Sequence, residues 1–171
     1  MNLKNTINCL ILLLVVTLTA SSQNDIELKF NKNGEFKIVQ FTDTHIDLEN
    51  NSNIQVYEIV KKIVDIEKPH LVMLTGDIIT QSNPQKGYEL LANIFDQLRL
   101  PWAVVFGNHE SENNVSRNKL ADFVQSLPYC VNNDIGDTYG NSNFILQLVG
   151  KSKKTEALLY CLDSNTYSTL K

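Results

Sequence analysis

A chain of 171 residues, 43% hydrophobic and 20% charged, with 4 prolines and 7 glycines, has the composition of a single globular domain rather than a disordered or fibrous chain. Its formal net charge of −4 gives no support for nucleic-acid binding, which requires a basic face, so nucleic acid is not an expected partner.

The N-terminus reads as a secretory signal over residues 1–22. Lys4 supplies the positive start, Cys9 to Leu18 form a short apolar run, and Ala20, Ser21 and Ser22 are small residues suited to cleavage. The run is shorter than the roughly 20 apolar residues that span a bilayer. The expectation is therefore a secreted or periplasmic domain over residues 23–171, with no stable membrane insertion after cleavage. Export permits a disulfide between Cys130 and Cys161. Buried free thiols are the preferred reading, because Cys161 lies in the apolar run Ala157 to Leu162.

Ile26 to Phe30 and Phe36 to Phe41 flank Asn33-Gly34, a strong signal for a β-hairpin. A helix follows, opened by a capping box of Ser52 and Gln55. Val56, Ile59, Val60, Ile63 and Val64 give it an apolar stripe, and Pro69 stops it. Leu71 to Leu74 is a continuous apolar run, as in a strand covered on both faces. A second helix is expected from about Lys86 to Leu98, with Leu90, Leu91, Ile94, Phe95 and Leu98 inward. Trp102 to Phe106 is the next strand, and a third helix runs from about Ser116 to Ser126. Asn143 to Val149 and Glu156 to Leu162 form a final hairpin across the solvated tip Lys151 to Lys154.

The alternation of strands and helices predicts an α/β fold with a mixed, mostly parallel β-sheet and covering helices. Right-handed crossovers gather the strand C-termini on one edge, where ligands bind in open α/β sheets. Three polar clusters fall there: Asp43 with His45, Asp77, and Asn108 with His109. Asp43 and Asp77 are 34 residues apart and Asp77 and Asn108 are 31 apart, each interval fitting one strand–helix–strand unit. Spacing thus turns sequence distance into closeness. Carboxylates, an amide oxygen and imidazoles form a mixed donor set that suits zinc, manganese or iron better than calcium. Gly76 and Gly107 are expected to let the backbone turn where each ligand points at the metal.

Asp43-Thr44-His45, Gly76-Asp77 and Gly107-Asn108-His109-Glu110, in that order, resemble the calcineurin-like metallophosphoesterases, over about residues 36 to 163. Ile38 to Thr42 and Leu159 to Ser164 look like the branch related to purple acid phosphatases. The tyrosine ligand of the purple enzymes is absent, since Ile78-Ile79-Thr80 follows Asp77. The resemblance implies that Asp43 and His45 bind a first metal, Asp77 bridges two ions and Asn108 binds the second. His109 would contact the phosphate or act as general acid. It also implies a phosphate-ester substrate, hydrolysed by water activated at a dinuclear Mn, Zn or Fe centre.

The family completes that centre with later histidines. This chain has three histidines, His45, His70 and His109, and none follows His109. A truncated domain is therefore expected, comparable to the first half of a metallophosphoesterase β-sandwich. It would hold at most one ion well, be weak or inactive as an enzyme, and expose a sheet edge open to self-association. The alternative is a non-catalytic remnant that binds one metal or phosphate, or an interaction module.

Each cluster also has a plainer interpretation. Asp43 could serve an Asx-turn and Asp77 a helix cap. Glu110 could orient His109 or simply cap a turn. His70 is expected to be structural or exposed rather than a ligand, and Asp163 to end a strand in a turn.

Overall fold

The computed structural model describes residues 26–49, 54–80, 83–112, 114–133 and 139–166. Residues 1–22, expected to form a leader, and Ser52 lie outside these residues. The elements are β1 (Leu28–Lys29), β2 (Ile38–Phe41), α1 (Ile54–Glu67), β3 (Leu71–Thr75), α2 (Pro84–Gln97), β4 (Trp102–Val105), α3 (Arg117–Gln125), β5 (Phe144–Val149) and β6 (Thr155–Cys161). A single 3-10 turn, His109–Ser111, lies between β4 and α3.

The strands divide into two three-stranded sheets. One is parallel throughout, in the order β2-β3-β4; the other has the order β1-β5-β6. Successive side chains of a strand face opposite ways, and β3 and β4 use both faces. Val72, Leu74, Trp102 and Val104 point to the helices, against Val60 and Val64 of α1, Leu91 and Phe95 of α2, and Leu120 and Val124 of α3. Leu71, Met73, Ala103 and Val105 point the other way, against Leu28, Phe144, Leu146, Leu148 and Cys161. The result is three layers: helices, parallel sheet, second sheet. This agrees with the α/β expectation and places the second sheet within the chain itself.

The first hairpin does not form. The Asn33-Gly34 turn is real: Gly34 has φ 80, and the Asn31 side chain accepts from the Asn33 and Glu35 amides at 2.8 and 2.9 Å. The two strands leave it for different sheets, however, with Leu28 paired in parallel to Leu148 and Ile38 paired in parallel to Leu71. Phe30 and Phe36 meet edge to face at 6.1 Å and pack on the core between the sheets. Burying these rings there makes the turn a corner between layers rather than a hairpin tip. The final hairpin is antiparallel as expected, with a bulge near Leu148 and Val149.

The helices match their predicted positions. α2 opens with Pro84 at its first turn, and the Asn83 side chain accepts from the Lys86 amide at 3.2 Å. Two residues expected inward, Ile59 and Leu98, are instead exposed, at 54% and 42%. Cys130 and Cys161 are free and belong to different cores, one on each side of the parallel sheet. Among the described residues no helix is long and apolar enough to cross a membrane.

Among the described residues, the outer edge of β4 carries only an isolated parallel bridge from Trp102 to Cys130 and is covered differently. Val131 N donates to Trp102 O at 2.9 Å, and the Asn132 amide accepts from Val104 N at 2.9 Å while donating to Val104 O at 2.8 Å. Ser142 Oγ accepts from Phe106 N at 2.7 Å. The backbone at this edge is thereby satisfied, as burial requires.

Candidate metal centre

The C-terminal ends of β2, β3 and β4 continue as three adjacent loops. The ladder runs on past β2: Asp43 N donates to Gly76 O (3.1 Å), His45 N to Asp77 O (3.0 Å) and Ile46 N to Ile78 O (2.8 Å). Thr44 adds a hydroxyl bond to Ile78 O at 3.0 Å. The loop carrying Asp43 and His45 is therefore bonded, residue by residue, to the loop carrying Asp77.

These bonds place the three residues in the left-handed region, with φ 52 at Asp43, 44 at His45 and 54 at Asp77. Asp and His tolerate that region better than most residues. It still costs on the order of 1–2 kcal/mol per residue, and such strain collects at functional sites.

One donor atom from each of Asp43, His45 and Asp77 lies within 4.8 Å of the others. His45 Nε2 and Asp43 Oδ1 are 3.9 Å apart. With metal–ligand bonds of about 2.0–2.2 Å, two ligands on one ion lie at most about 4.4 Å apart. The set fits one ion after side-chain adjustment of a few tenths of an ångström. Asp77 is 8% exposed, whereas the side chains of Asp43 and His45 are 64% and 47% exposed, so the centre opens to solvent on the β2 side.

The β4 loop closes on Asp77 from the other side. His109 N donates to Asp77 Oδ1 at 3.0 Å. A Cβ on Gly107 would overlap Asp77 Oδ1, so this glycine is needed for close approach rather than for a turn. Gly76 does turn, at φ 92, and a Cβ there would lie 2.7 Å from Gly107 N. Asn108 sits half-buried between Gly107 and His109, both of which touch the Asp77 carboxylate. The His109 ring meets the His45 ring edge-on at 5.5 Å. All five predicted site residues thus share one edge, with three of them gathered as a donor cluster.

Sequence reasoning missed several supports. Glu112 Oε1 lies 2.7 Å from His109 Nδ1, and this hydrogen bond holds the imidazole above its ordinary pKa. Glu110 is fully buried and accepts from Ile78 N and Gly107 N, so it spans two loops. Burial raises its pKa, while the amide bonds oppose the rise. Beside it Tyr88 is fully buried, its phenol held well above its ordinary value by burial and then by the Glu110 charge. Asp163 is more than a turn residue. It forms a buried ion pair with Arg117, whose other nitrogen donates to Gly107 O at 2.7 Å. The i,i+3 spacing of His109 and Glu112 was a usable signal; the other contacts have no local signature. His70 is structural as expected, its Nδ1 accepting from Lys37 N at 2.8 Å.

Residues 36–169 match the calcineurin-like phosphoesterase family. Phosphatase DCR2 of Saccharomyces cerevisiae is 32% identical over 161 residues, covering 80% of this chain and 28% of that protein. Two Arabidopsis thaliana proteins, probable inactive purple acid phosphatases 29 and 14, are 26% and 25% identical, covering 84% of this chain and 44% and 43% of their own lengths. The chain spans less than half the length of these relatives. With the family's match covering most of the sequence and the ordered strand-end residues converging on one edge, the chain belongs to the calcineurin-like phosphoesterase family.

Proposed function

We propose that this edge is a metal-dependent site for hydrolysis of phosphate esters. The observation that carries the proposal is the convergence of Asp43, His45 and Asp77 donor atoms within 4.8 Å at adjacent strand ends. In this scheme Asp43 and His45 would hold one ion, and Asp77 and Asn108 would serve a second. Metal ions bound there would neutralise charge on the phosphoryl oxygens and make water a nucleophile near neutral pH.

The protein's own contribution is positional. Asp77 is buried and fixed by the His109 amide, so a carboxylate is ready before any ligand arrives. Glu112 occupies Nδ1 of His109, which leaves Nε2 to contact the phosphate or protonate the leaving alcohol. The open β2 side gives an ester room to enter.

The first test is metal stoichiometry with turnover of p-nitrophenyl phosphate in added manganese or zinc. Asp77→Asn should abolish metal uptake. His109→Ala should retain uptake and lower turnover roughly 10²- to 10⁴-fold, the usual worth of a general acid. Equal metal uptake by wild type and Asp77→Asn would sink the proposal.

A second reading has its own support. Of three histidines in the chain, His70 is committed to Lys37 N, leaving two imidazoles at the site. This favours a centre that holds one ion well and turns over slowly or not at all. One bound equivalent with no turnover would select it. The leader supports a secreted or periplasmic location; retention of residues 1–22 on the protein purified from its natural source would count against that.

A further inference from the structure

We infer that Glu110 is a positioning residue whose carboxylate sets the separation of Asp77 and Asn108 by bridging the backbone of their two loops. Its side chain is fully buried between the β3 and β4 loops. Oε1 accepts from Ile78 N at 2.9 Å, one residue after Asp77. Oε2 accepts from Gly107 N at 2.8 Å, one residue before Asn108. The circuit closes on the far side, where His109 N donates to Asp77 Oδ1 at 3.0 Å. Between these bonds Gly76 and Gly107 approach so closely that neither position has room for a Cβ. The two loops are therefore fixed in distance and in rotation.

Only a carboxylate satisfies this geometry. Both amides donate, so both side-chain oxygens must accept. Glutamine would turn an NH₂ toward one of the amides and leave two buried donors facing each other. Aspartate is one methylene shorter and reaches one loop at a time. A charge in this position also has a reason to persist, because hydrogen bonds from amides to a carboxylate are stronger than those to a neutral acceptor.

The inference rests on the proposal that Asp77 and Asn108 face metal ions, and the test separates the two. The full chain is titrated with cobalt(II), whose visible absorption reports ligand geometry, as wild type, Glu110→Gln, Glu110→Asp and the surface control Asp96→Asn. Residues that orient metal ligands typically change affinity about 10- to 100-fold. Glu110→Gln should weaken cobalt(II) binding by that factor and change the visible band, while Asp96→Asn matches wild type. Wild-type affinity and an unchanged band in Glu110→Gln would overturn the inference and leave the metal site intact. Failure of wild type itself to bind cobalt(II) would overturn the metal site, and the positioning role with it. Should Glu110→Gln fail to fold, Glu110→Asp carries the same two readouts. A purely structural role would lower the melting temperature without moving the band of the folded protein.

Discussion

His109 shows how one side chain can be tuned from three residues away. The Glu112 carboxylate favours the charged imidazole, so the folded pKa lies above that of the unfolded chain. Such a pair adds stability that is complete below the unfolded pKa and is lost as pH rises through the folded one. Glu112→Gln should therefore move the His109 ring resonances to a lower titration midpoint in metal-free protein, read by NMR; an unchanged midpoint would mean the 2.7 Å contact does not persist in solution. Gly76 makes a steric prediction. Alanine there meets both a left-handed φ and the Gly107 backbone. Gly76→Ala should cost about 1–3 kcal/mol in urea denaturation, and a midpoint equal to wild type would show that the loops separate freely. The thiols follow from burial, which pushes Cys130 up to about 12 and Cys161 up to about 11. At pH 8 neither should be alkylated by iodoacetamide until the protein unfolds, as mapped by mass spectrometry.

Among elements, a buried ion pair ties the start of α3 to the segment after β6, beside the bond from Ser164 N to Phe106 O at 3.2 Å. The Arg117 side chain is 10% exposed and that of Asp163 is fully buried, and Arg117 also stacks over the Phe106 ring at 5.3 Å. Asp163→Ala would strand a buried guanidinium, which typically costs 3–5 kcal/mol. A loss below about 1 kcal/mol in denaturant titration would show that water reaches Arg117. The partners stand 46 residues apart in sequence, and nothing local in either segment announces the contact. The same limit applied to Glu110, whose acceptors serve amides from two loops. By contrast, Asp43, Asp77 and Asn108 were legible because parallel strands joined by helices put every strand end on one edge. The Asn33-Gly34 turn was also legible, but not where its strands go. That choice is made by β3 and β5, which capture β2 and β1 in turn. Helical periodicity found the buried faces of α1 and α2 and misjudged their margins, where Ile59 and Leu98 are exposed.

For the whole molecule, the layers leave β6 as an outer strand, with Leu158 and Tyr160 on it and Leu162 just beyond it exposed at 44%, 66% and 69%. These side chains alternate with Leu159 and Cys161, which face the core between the sheets. Serine at Leu158 and Tyr160 should therefore change stability by no more than about 0.5 kcal/mol each, as for ordinary surface positions. The same changes should raise the protein concentration at which light scattering first appears; scattering that begins unchanged would absolve this face.

The Asn132 amide has a consequence for the parallel sheet as a template. A planar side chain bonded to both backbone groups of Val104 imitates one residue of a neighbouring strand, and it ends there. Among the described residues, that flank meets an incoming strand with backbone groups already satisfied at Val104, and β2 forms the other edge of the sheet. A polypeptide that extends the sheet is therefore expected to arrive beside Asp43 and His45 rather than beside Asn108.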